Sequence, residues 1–357
     1  MIEKTGWKKK PFWIRLFHWE YWNFHVIYIP IYPVFLFLCL RARSFFFFSA
    51  SNPTIRNGGF LGESKKDIYK LVPPGMQPRT LFFPRGSRQE WVMEKLKLAG
   101  FHFPLIGKPD MGGKGRGIKK LDNESDVKKY MAASGTDFHI QEFISFEKEY
   151  GIFYYRYPGE KKGRISGIVR KEFLRVTGDG RRNILDLLKS NPRAILQLPF
   201  LEKQEPEKLQ RVLRENEIFT VVPYGNHARG ALFIDDSSTI NPELEEAMDD
   251  ICKQIPDFYY GRLDIRYESR ELLEAGKSFY IVEVNGAGSE PTHIYDPRHS
   301  LFFAWKEIIR HWIILFKISR ANHRLGYPYL GFSEGRQMFK TDRDNSKMLA
   351  AMQKKEF

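Results

Sequence analysis

The stretch from Lys108 to Ile118 reads KPDMGGKGRGI, and it constrains the local backbone more than any other part of the chain. It follows the apolar run FPLIG, which predicts a buried strand. Glycines let backbone N–H groups approach an anion closely, and Lys108 and Arg116 add positive charge. The stretch therefore predicts an anion-binding turn, with a plain turn as the alternative. It fits neither the GxxxxGK(S/T) nor the GxGxxG pattern. Its glycines are Gly112, Gly113, Gly115 and Gly117.

A second set of polar side chains lies on two predicted strands late in the chain. Asp264 is in GRLDIR, and Glu283 and Asn285 are in YIVEVNG. Glu283 and Asn285 are two residues apart and share a strand face, which Asp264 meets if the strands pair. Two carboxylates and an amide oxygen are typical ligands of a Mg²⁺ ion that also binds phosphates. The alternative is a solvated polar face, but the apolar neighbours favour a magnesium site.

The stretch QEFISFEKE at 141–149 ends a third predicted strand. Backbone groups at the end of a strand have the polarity to bind an adenine edge, and a carboxylate such as Glu149 binds ribose hydroxyls. Taken alone, the stretch favours a charged loop between strands. The residues at this strand end are Glu142, Phe143 and Ile144.

Composition bounds the possible architectures and ligands. The chain has 357 residues, 42% of them hydrophobic, which is enough for two or three lobes with buried cores. Its formal net charge of +14 suits a phosphorylated ligand, an acidic substrate, an anionic membrane or a nucleic acid. Two distant cysteines, Cys39 and Cys252, exclude a disulfide framework. The sequence shows no Ser/His/Asp or Cys/His arrangement that indicates a side-chain nucleophile.

The N-terminal segment, residues 1–43, is aromatic, apolar and flanked by cations. Its apolar part, Phe24–Leu40, is short for a spanning helix of about 20 residues, and Pro30 and Pro33 interrupt it. Cations on both flanks, beginning with Lys8–Lys10, disfavour a crossing. The segment predicts a monotopic, kinked membrane anchor. The alternative is an aromatic arm that packs on the protein itself.

The order of the predicted elements indicates an α+β fold. Residues 87–100 and the stretch HSLFFAWKEIIRHWIILFKISRAN have helical spacing. SFFFFSAS, from Ser44, reads as a strand, and EYGIFYYRY and GRISGIVRKEFLRV read as a strand pair. From about Lys340 the chain is polar and is predicted to be frayed.

Taken in order, these motifs resemble the ATP-grasp superfamily over roughly residues 87–300. KPDMGGKGRGI is similar, position by position, to the KPxxGxxGRGV loop in the ATP-grasp part of cyanophycin synthetase. The D…ExN pair of strands is similar to that of D-alanine–D-alanine ligases as well. The resemblance implies two α/β lobes that clamp ATP, with a reduced N-terminal domain. The implied domains are a membrane-associating segment at 1–43, a reduced α/β piece at 44–86, a small lobe at 87–150, a large lobe with the magnesium site at 151–322 and a polar tail at 323–357.

The resemblance implies how ATP is bound. The phosphates lie under the glycine loop Gly112–Gly117, on Lys108 and Arg116, and the ribose meets Glu149. A second ATP-contacting lysine has no clear counterpart, and Lys95 and Lys97 are its candidates. The implied adenine hinge consists of Glu142, Phe143 and Ile144.

The resemblance also implies a reaction that releases ADP. A carboxylate takes the γ-phosphoryl group and becomes an acyl phosphate, which an amine then attacks. Arg262 and the Gly288 amide stabilise the charge that develops. The implied ligands of Mg²⁺ are Asp264, Glu283 and Asn285. The alternatives are a kinase-like phosphotransferase and a non-catalytic protein that binds a nucleotide or nucleic acid.

The partners that follow are a small carboxylate and a small amine, with no nucleic acid. The expected location is the cytoplasm, at the inner face of a membrane. The loop GAGSEPTHIYDP, after the ExN strand, differs from the ligases named above and leaves the substrates open. Arg170, Lys171 and Arg229 are candidates for binding phosphate or an acidic substrate, with a solvated basic face as the alternative.

Overall fold

The strands of the described residues form three antiparallel sheets, and helices cover them. The computed structural model describes residues 11–113, 115–204, 206–222, 225 and 227–355, so the Lys8–Lys10 flank lies outside the described residues. The strands are β1 (Thr80–Phe83), β2 (Leu105–Pro109), β3 (Lys119–Leu121), β4 (Phe138–Glu142), β5 (Lys148–Tyr155), β6 (Arg164–Glu172), β7 (Leu174–Thr177), β8 (Ile218–Val222), β9 (Leu232–Asp235), β10 (Tyr260–Tyr267) and β11 (Phe279–Asn285).

Side-chain caps begin several of the helices. Asn123, Asn241 and Ser300 each accept a hydrogen bond from a backbone N–H of the helix that follows, as expected of N-cap residues. The helices are α1 (Pro11–Phe17), α2 (Phe24–Tyr28), α3 (Tyr32–Ala42), α4 (Lys65–Leu71), α5 (Gln89–Leu98), α6 (Glu124–Ala133), α7 (Ile184–Leu188), α8 (Pro192–Ile195), α9 (Leu198–Gln204), α10 (Pro206–Gln210), α11 (Pro242–Lys253), α12 (Arg270–Glu274), α13 (Leu301–Arg324) and α14 (Phe332–Lys355).

The four-stranded sheet carries the glycine-rich stretch. Its order is β1-β4-β2-β3, and β2 is the strand that FPLIG predicts. Val92 of α5 and Val127 of α6 are fully buried against it, so the helix predicted at 87–100 is confirmed. Residues 44–86, which the domain prediction separates from this lobe, supply its edge strand β1.

The five-stranded sheet carries the acidic strands. Its order is β11-β10-β5-β6-β9, and the predicted pairing of β5 with β6 is confirmed. Asp264 on β10 lies directly opposite Glu283 on β11, so the two predicted strands do pair. Side chains alternate across the sheet: Ile152 packs in the core with α11, and Phe153 packs in the core with α13.

The N-terminal segment packs on the protein along one side. Ile27, Tyr28 and Ile31 are buried with Ala304 and Ile308 of α13, and the Trp305 indole donates to the Ile27 carbonyl at 2.8 Å. The alternative of an aromatic arm packed on the protein therefore describes this side of the segment. The other side is exposed.

Two predictions of local structure are wrong. SFFFFSAS does not form a strand: Phe47–Ala50 is a 3₁₀ turn whose side chains are buried against α3 and α13. The C-terminal stretch is not frayed over its described residues. It forms α14, a helix of 24 residues, because Leu349 and Met352 are buried in the core of the four-stranded sheet.

Candidate functional site

A cavity of about 600 Å³ lies between the four-stranded and five-stranded sheets. It brings together the residues that the sequence assigns to ATP, magnesium and catalysis, with the exception of Gly117 and of the alternative cation candidates described below. The three motifs therefore meet in one place, whereas the role of each residue remains a prediction. The predicted residues that line the cavity are Lys108, Gly112, Gly113, Gly115, Arg116, Glu142, Phe143, Ile144, Glu149, Arg262, Asp264, Glu283, Asn285 and Gly288.

Helix α14 lies against the glycine-rich loop, and the backbone needs glycine at two positions there. Gly112 has φ +124, and a Cβ on it would lie 2.4 Å from Leu349 Cδ1. Gly117 has φ +70, and a Cβ on it would lie 2.7 Å from Pro109 Cγ. Gly117 is buried and supports the loop, while the three preceding glycines face the cavity.

Lys108 is a buried cation that faces the cavity without a carboxylate partner in the described chain. Its Nζ donates to Gln141 Oε1 at 2.8 Å and lies 4.8 Å from the centre of the Tyr69 ring. Burial, followed by the nearby Lys65, lowers the pKa of Lys108 to about 7, and Glu283 opposes the shift. An anionic ligand would restore the charge of this amine.

A row of alternating charges crosses the five-stranded sheet. Asp264 pairs with Arg262 Nε at 2.8 Å and with Lys171 Nζ at 2.9 Å. Glu149 pairs with the same Lys171 at 2.8 Å and with Arg266 at 3.2 Å. Burial raises the pKa of Asp264, but Arg262 and Lys171 hold it below its usual range. The chain itself therefore neutralises both carboxylates.

Of the three predicted magnesium ligands, Glu283 and Asn285 have fewer protein partners than Asp264. Glu283 forms no ion pair with a described residue, and the buried side-chain nitrogen of Asn285 has no hydrogen-bond partner in the described chain. An amide that no protein group holds is free to turn its oxygen toward an ion. These two residues fit a divalent ion. Asp264 would bind the same ion only through the lone pairs that Arg262 and Lys171 do not occupy.

The described residues contain no group of three or more His, Cys, Asp or Glu side chains placed to hold a metal. A divalent ion at Glu283 would therefore depend on the Asn285 amide and on oxygens of its ligand. This is the manner in which proteins commonly hold Mg²⁺ with phosphates, using few protein ligands.

The two predicted catalytic groups, Arg262 and the Gly288 N–H, differ in whether they keep unused hydrogen-bond donors. Arg262 donates to Asp264 and, through Nη1, to the Glu290 carbonyl at 3.1 Å. Two of its five N–H groups remain. The Gly288 N–H donates to the Gly59 carbonyl at 2.9 Å, so this donor is occupied in the structure and its role toward an oxyanion stays a prediction.

The predicted hinge is tied to its surroundings on both sides. Glu142 pairs with Arg79 Nε at 2.8 Å, and the Ile144 carbonyl accepts from Arg266 Nη1 at 2.9 Å. Because Arg266 also holds Glu149, the hinge and the charge row form one hydrogen-bonded unit. The segment between the two lobes is thereby fixed.

Of the other cationic residues proposed from the sequence as ligand contacts, some line the cavity and some do not. Lys95 and Lys97 lie on α5 and do not line the cavity, and neither do Arg170 and Arg229. Lys171 does line it, at the centre of the charge row.

Sequence reasoning missed Lys65 and the wall made by the N-terminal segment. Lys65 Nζ donates to the Gly112 carbonyl at 2.7 Å and lines the cavity close to Lys108. Trp22, Phe24 and Ile27 line the side near Glu290. No spacing pattern connects these residues to the motifs, since the fold alone brings them there.

Comparisons with known proteins give only distant likenesses. No family model and no curated protein matches the chain. Solved structures that resemble it are ATP-grasp ligases. A bifunctional glutathione synthetase from Pasteurella multocida has 14% identity and a TM-score of 0.38, over 71% of this chain and 35% of that one. The VanG D-Ala:D-Ser ligase from Enterococcus faecalis has 14% identity and a TM-score of 0.40, over 71% and 61%.

A D-alanine–D-alanine ligase from Bacillus anthracis has 14% identity and a TM-score of 0.39, over 73% of this chain and 67% of that one. The chain thus spans about a third of the glutathione synthetase and about three fifths of VanG. At TM-scores below 0.5, these likenesses decide nothing about the activity of this chain.

Proposed function

We propose that this chain is an ATP-dependent ligase that joins a carboxylate to an amine. The observation that carries the proposal is that Lys108 and Glu283, from two different sheets, line one cavity. Among the described residues, Lys108 has no carboxylate partner and Glu283 has no cationic partner. A metal-bound polyphosphate would pair with both residues at once, because its negative oxygens would bind Lys108 and its metal ion would bind Glu283.

The nucleotide site uses the walls of the cavity for different parts of ATP. Lys108, Lys65 and Arg116 neutralise the phosphates below the glycine-rich loop. The backbone of Glu142–Ile144 receives the adenine ring. Glu149 keeps a role toward the ribose, since each of its oxygens retains a second lone pair.

The acid and amine meet next to the charge row. The acid's carboxylate oxygen bonds to the γ-phosphorus, and the bond from that phosphorus to ADP breaks. The amine, in its neutral form, then bonds through nitrogen to the acyl carbon, and the bond from that carbon to the phosphate oxygen breaks. Inorganic phosphate leaves with the proton that the nitrogen loses. Arg262, through its free N–H groups, and Lys171 stabilise the negative charge of both steps. A magnesium ion held by Glu283 and Asn285, with Asp264, supplies neutralisation of the phosphate charge when it is bound.

Hydroxylamine distinguishes this reaction from simple phosphoryl transfer. With ATP, Mg²⁺ and a panel of carboxylic acids, we expect ADP release together with a hydroxamate of one acid, because only an acyl phosphate acylates hydroxylamine. ADP release without a hydroxamate for any acid would identify a kinase-like enzyme and reject the ligase.

We further propose that the exposed side of the N-terminal segment binds an anionic membrane without crossing it. This apolar face consists of Val26, Ile29, Leu36, Phe37 and Leu40, whose side chains are 51–75% exposed. By length and composition alone, the stretch that contains it is capable of spanning a membrane, and 28% of its most apolar window is buried. Its other side is held by α13, which favours a surface contact over insertion of the whole stretch.

Positive charge lies next to the apolar face. On α13, Phe302, Lys306, Ile313 and Lys317 are exposed at helical spacing along one side. This side adjoins the one whose Trp312 packs near Tyr28 of the N-terminal segment. Lysines beside an apolar patch complement anionic lipid head groups.

Changing Leu36, Phe37 and Leu40 together to serine should weaken binding to phosphatidylglycerol vesicles at least about tenfold, because burying such side chains is worth roughly 1.5–3 kcal/mol each. Flotation on a density gradient measures the bound fraction. A matched control changes three exposed apolar residues elsewhere, Leu98, Val212 and Ile218, to serine. Equal flotation of the two triple variants would rule out the apolar face as the membrane contact.

A further inference from the structure

One end of the cavity has no role in the proposed nucleotide site. Its wall is formed by the N-terminal segment and by the loop that follows β11. The residues of this end are Trp22, Phe24, Ile27, Glu290, Thr292 and Tyr295. We call it the aromatic end of the cavity.

Glu290 is the carboxylate of the aromatic end that lacks a cation among the described residues, since Glu20, which also lines the cavity, pairs with Arg193 at 3.6 Å. One of the two Glu290 oxygens already accepts hydrogen bonds. Its Oε1 accepts from the Tyr28 hydroxyl at 2.5 Å and from the Tyr295 hydroxyl at 3.1 Å. Burial, followed by the charge of Glu290, raises the pKa of both tyrosines well above the usual value, so both hydroxyls keep their protons and donate. The two tyrosines therefore fix the direction of the carboxylate.

The other half of the carboxylate lacks a donor from the described chain. No described residue donates to Glu290 Oε2, and no described cation pairs with it. Arg262 bonds to the Glu290 backbone carbonyl and to Asp264, and it makes no ion pair with the Glu290 carboxylate. A carboxylate in a partly enclosed cavity is costly when it lacks a cationic donor. This oxygen is therefore open to a cationic donor from a ligand.

The surroundings indicate which kind of cationic ligand fits. Phe24 stacks on Tyr28 with ring centroids 4.0 Å apart, and Trp19 stacks on Tyr295. Rings around a carboxylate attract an organic ammonium, since the ring faces favour a cation and the carbon chain favours apolar contact. A hydrated metal ion gains nothing from such walls, and a guanidinium or ammonium on a short polar ligand leaves them unfilled.

We propose that Glu290 binds the amine substrate as its ammonium form and accepts on Oε2 the proton that this ammonium loses before its nitrogen attacks, and that this amine carries an apolar group that packs on Phe24 and Ile27. The proposal rests on the proposed ligase function, because it identifies the class of the second substrate. Phe24 is 41% exposed and lies beside the apolar face, so a longer apolar group has a path out of the cavity.

The N-terminal segment supplies Tyr28, one of the two tyrosines that orient the Glu290 carboxylate. The Trp19 indole donates to the His299 carbonyl at 2.9 Å, and the Trp305 indole donates to the Ile27 carbonyl. These two bonds hold the segment at Trp19 and at Ile27, just before Tyr28, whose hydroxyl donates to Glu290. The proposed amine site therefore depends on contact between Tyr28 and Glu290, which are 262 positions apart in the chain.

The test compares three probes that differ only in the head group: hexylamine, hexanol and hexanoate. Titration calorimetry on the full chain should show hexylamine binding at least about tenfold tighter than the other two, because only it forms a charge-assisted bond with Glu290. Glu290→Gln should lose that preference and bind hexylamine about as weakly as hexanol. Equal binding of hexylamine to the parent and to Glu290→Gln would overturn the proposal.

Two controls separate this inference from others. Tyr28→Phe removes one donor and leaves the carboxylate, so it should weaken hexylamine binding less than Glu290→Gln does. ATP binding is measured on the same samples and should be unchanged in Glu290→Gln, which shows that the variant is folded. If the chain binds ATP but does not prefer hexylamine, the amine site is rejected and the ligase proposal stands. If it prefers hexylamine through Glu290 but does not bind ATP, the ligase proposal is rejected.

Discussion

Replacing Glu283 with glutamine should lower ATP turnover by about 100-fold or more, since ligation of a divalent ion at phosphates is worth several kcal/mol. Glutamine keeps the shape of the side chain and removes only its charge. In the structure Glu283 has no cation from the described chain to release, so its loss does not leave a buried charge unpaired. The fold should therefore survive, and the thermal unfolding midpoint should stay near that of the parent.

The matched control for Glu283 is Glu268→Gln. Glu268 follows the end of β10, is exposed and does not line the cavity. ADP release should be unchanged in this variant. If Glu283→Gln turned over ATP as fast as Glu268→Gln does, the ion would lie elsewhere and the proposed site would be wrong.

Replacing Lys108 with methionine should weaken ATP binding by roughly 10- to 100-fold, the usual cost of losing a hydrogen bond to a charged group. Methionine fills most of the volume of the lysine stem and suits the buried position against Tyr69. Lys97→Met, on α5 and outside the cavity, is the control and should bind ATP as the parent does.

ATP binding should also become weaker as the pH rises above 7, and Lys108 is the reason. In the free protein the pKa of Lys108 is lowered to about 7, so above this pH its amine is mostly neutral. Bound polyphosphate raises that pKa, so binding above pH 7 takes up a proton. Well below pH 7 the amine is already charged, and this uptake disappears.

Calorimetry at pH 8 in two buffers of different ionisation enthalpy measures the proton uptake. We expect a value approaching one proton for the parent and for Lys97→Met, and a clearly smaller one for Lys108→Met. The same uptake in Lys108→Met as in the parent would assign the proton to another group.

The local motifs could be predicted from the sequence because each depends on short-range geometry. The strand before Lys108 and the pairing of Asp264 with Glu283 follow from apolar runs and the two-residue period of strands. That both lie in one cavity was implied by the resemblance and not by the spacing.

The partners of the carboxylates could not be predicted in the same way. Asp264 and Glu149 are both held by Lys171, which lies on β6, the neighbour of β5. Pairs of this kind depend on sheet order, which a single sequence does not specify. For the same reason the sequence assigns Asp264 to the metal without predicting that Lys171 neutralises it.

Composition predicts the structure of SFFFFSAS and of the C-terminal stretch wrongly, because tertiary contacts determine both. α14 is polar overall, yet the buried Leu349 and Met352 are three residues apart and lie on one side of the helix. The run SFFFFSAS has high strand propensity but does not pair as a strand, and Phe46, Phe47 and Phe48 fill the space between α3 and α13.

The most direct test is the structure of the chain with a non-hydrolysable ATP analogue and Mn²⁺, with the anomalous signal locating the metal. The manganese peak should lie at Glu283 and Asn285, and the phosphates should lie between it and Lys108, below the glycine-rich loop. An analogue bound outside this cavity, or a metal that contacts neither Glu283 nor Asn285, would contradict the account.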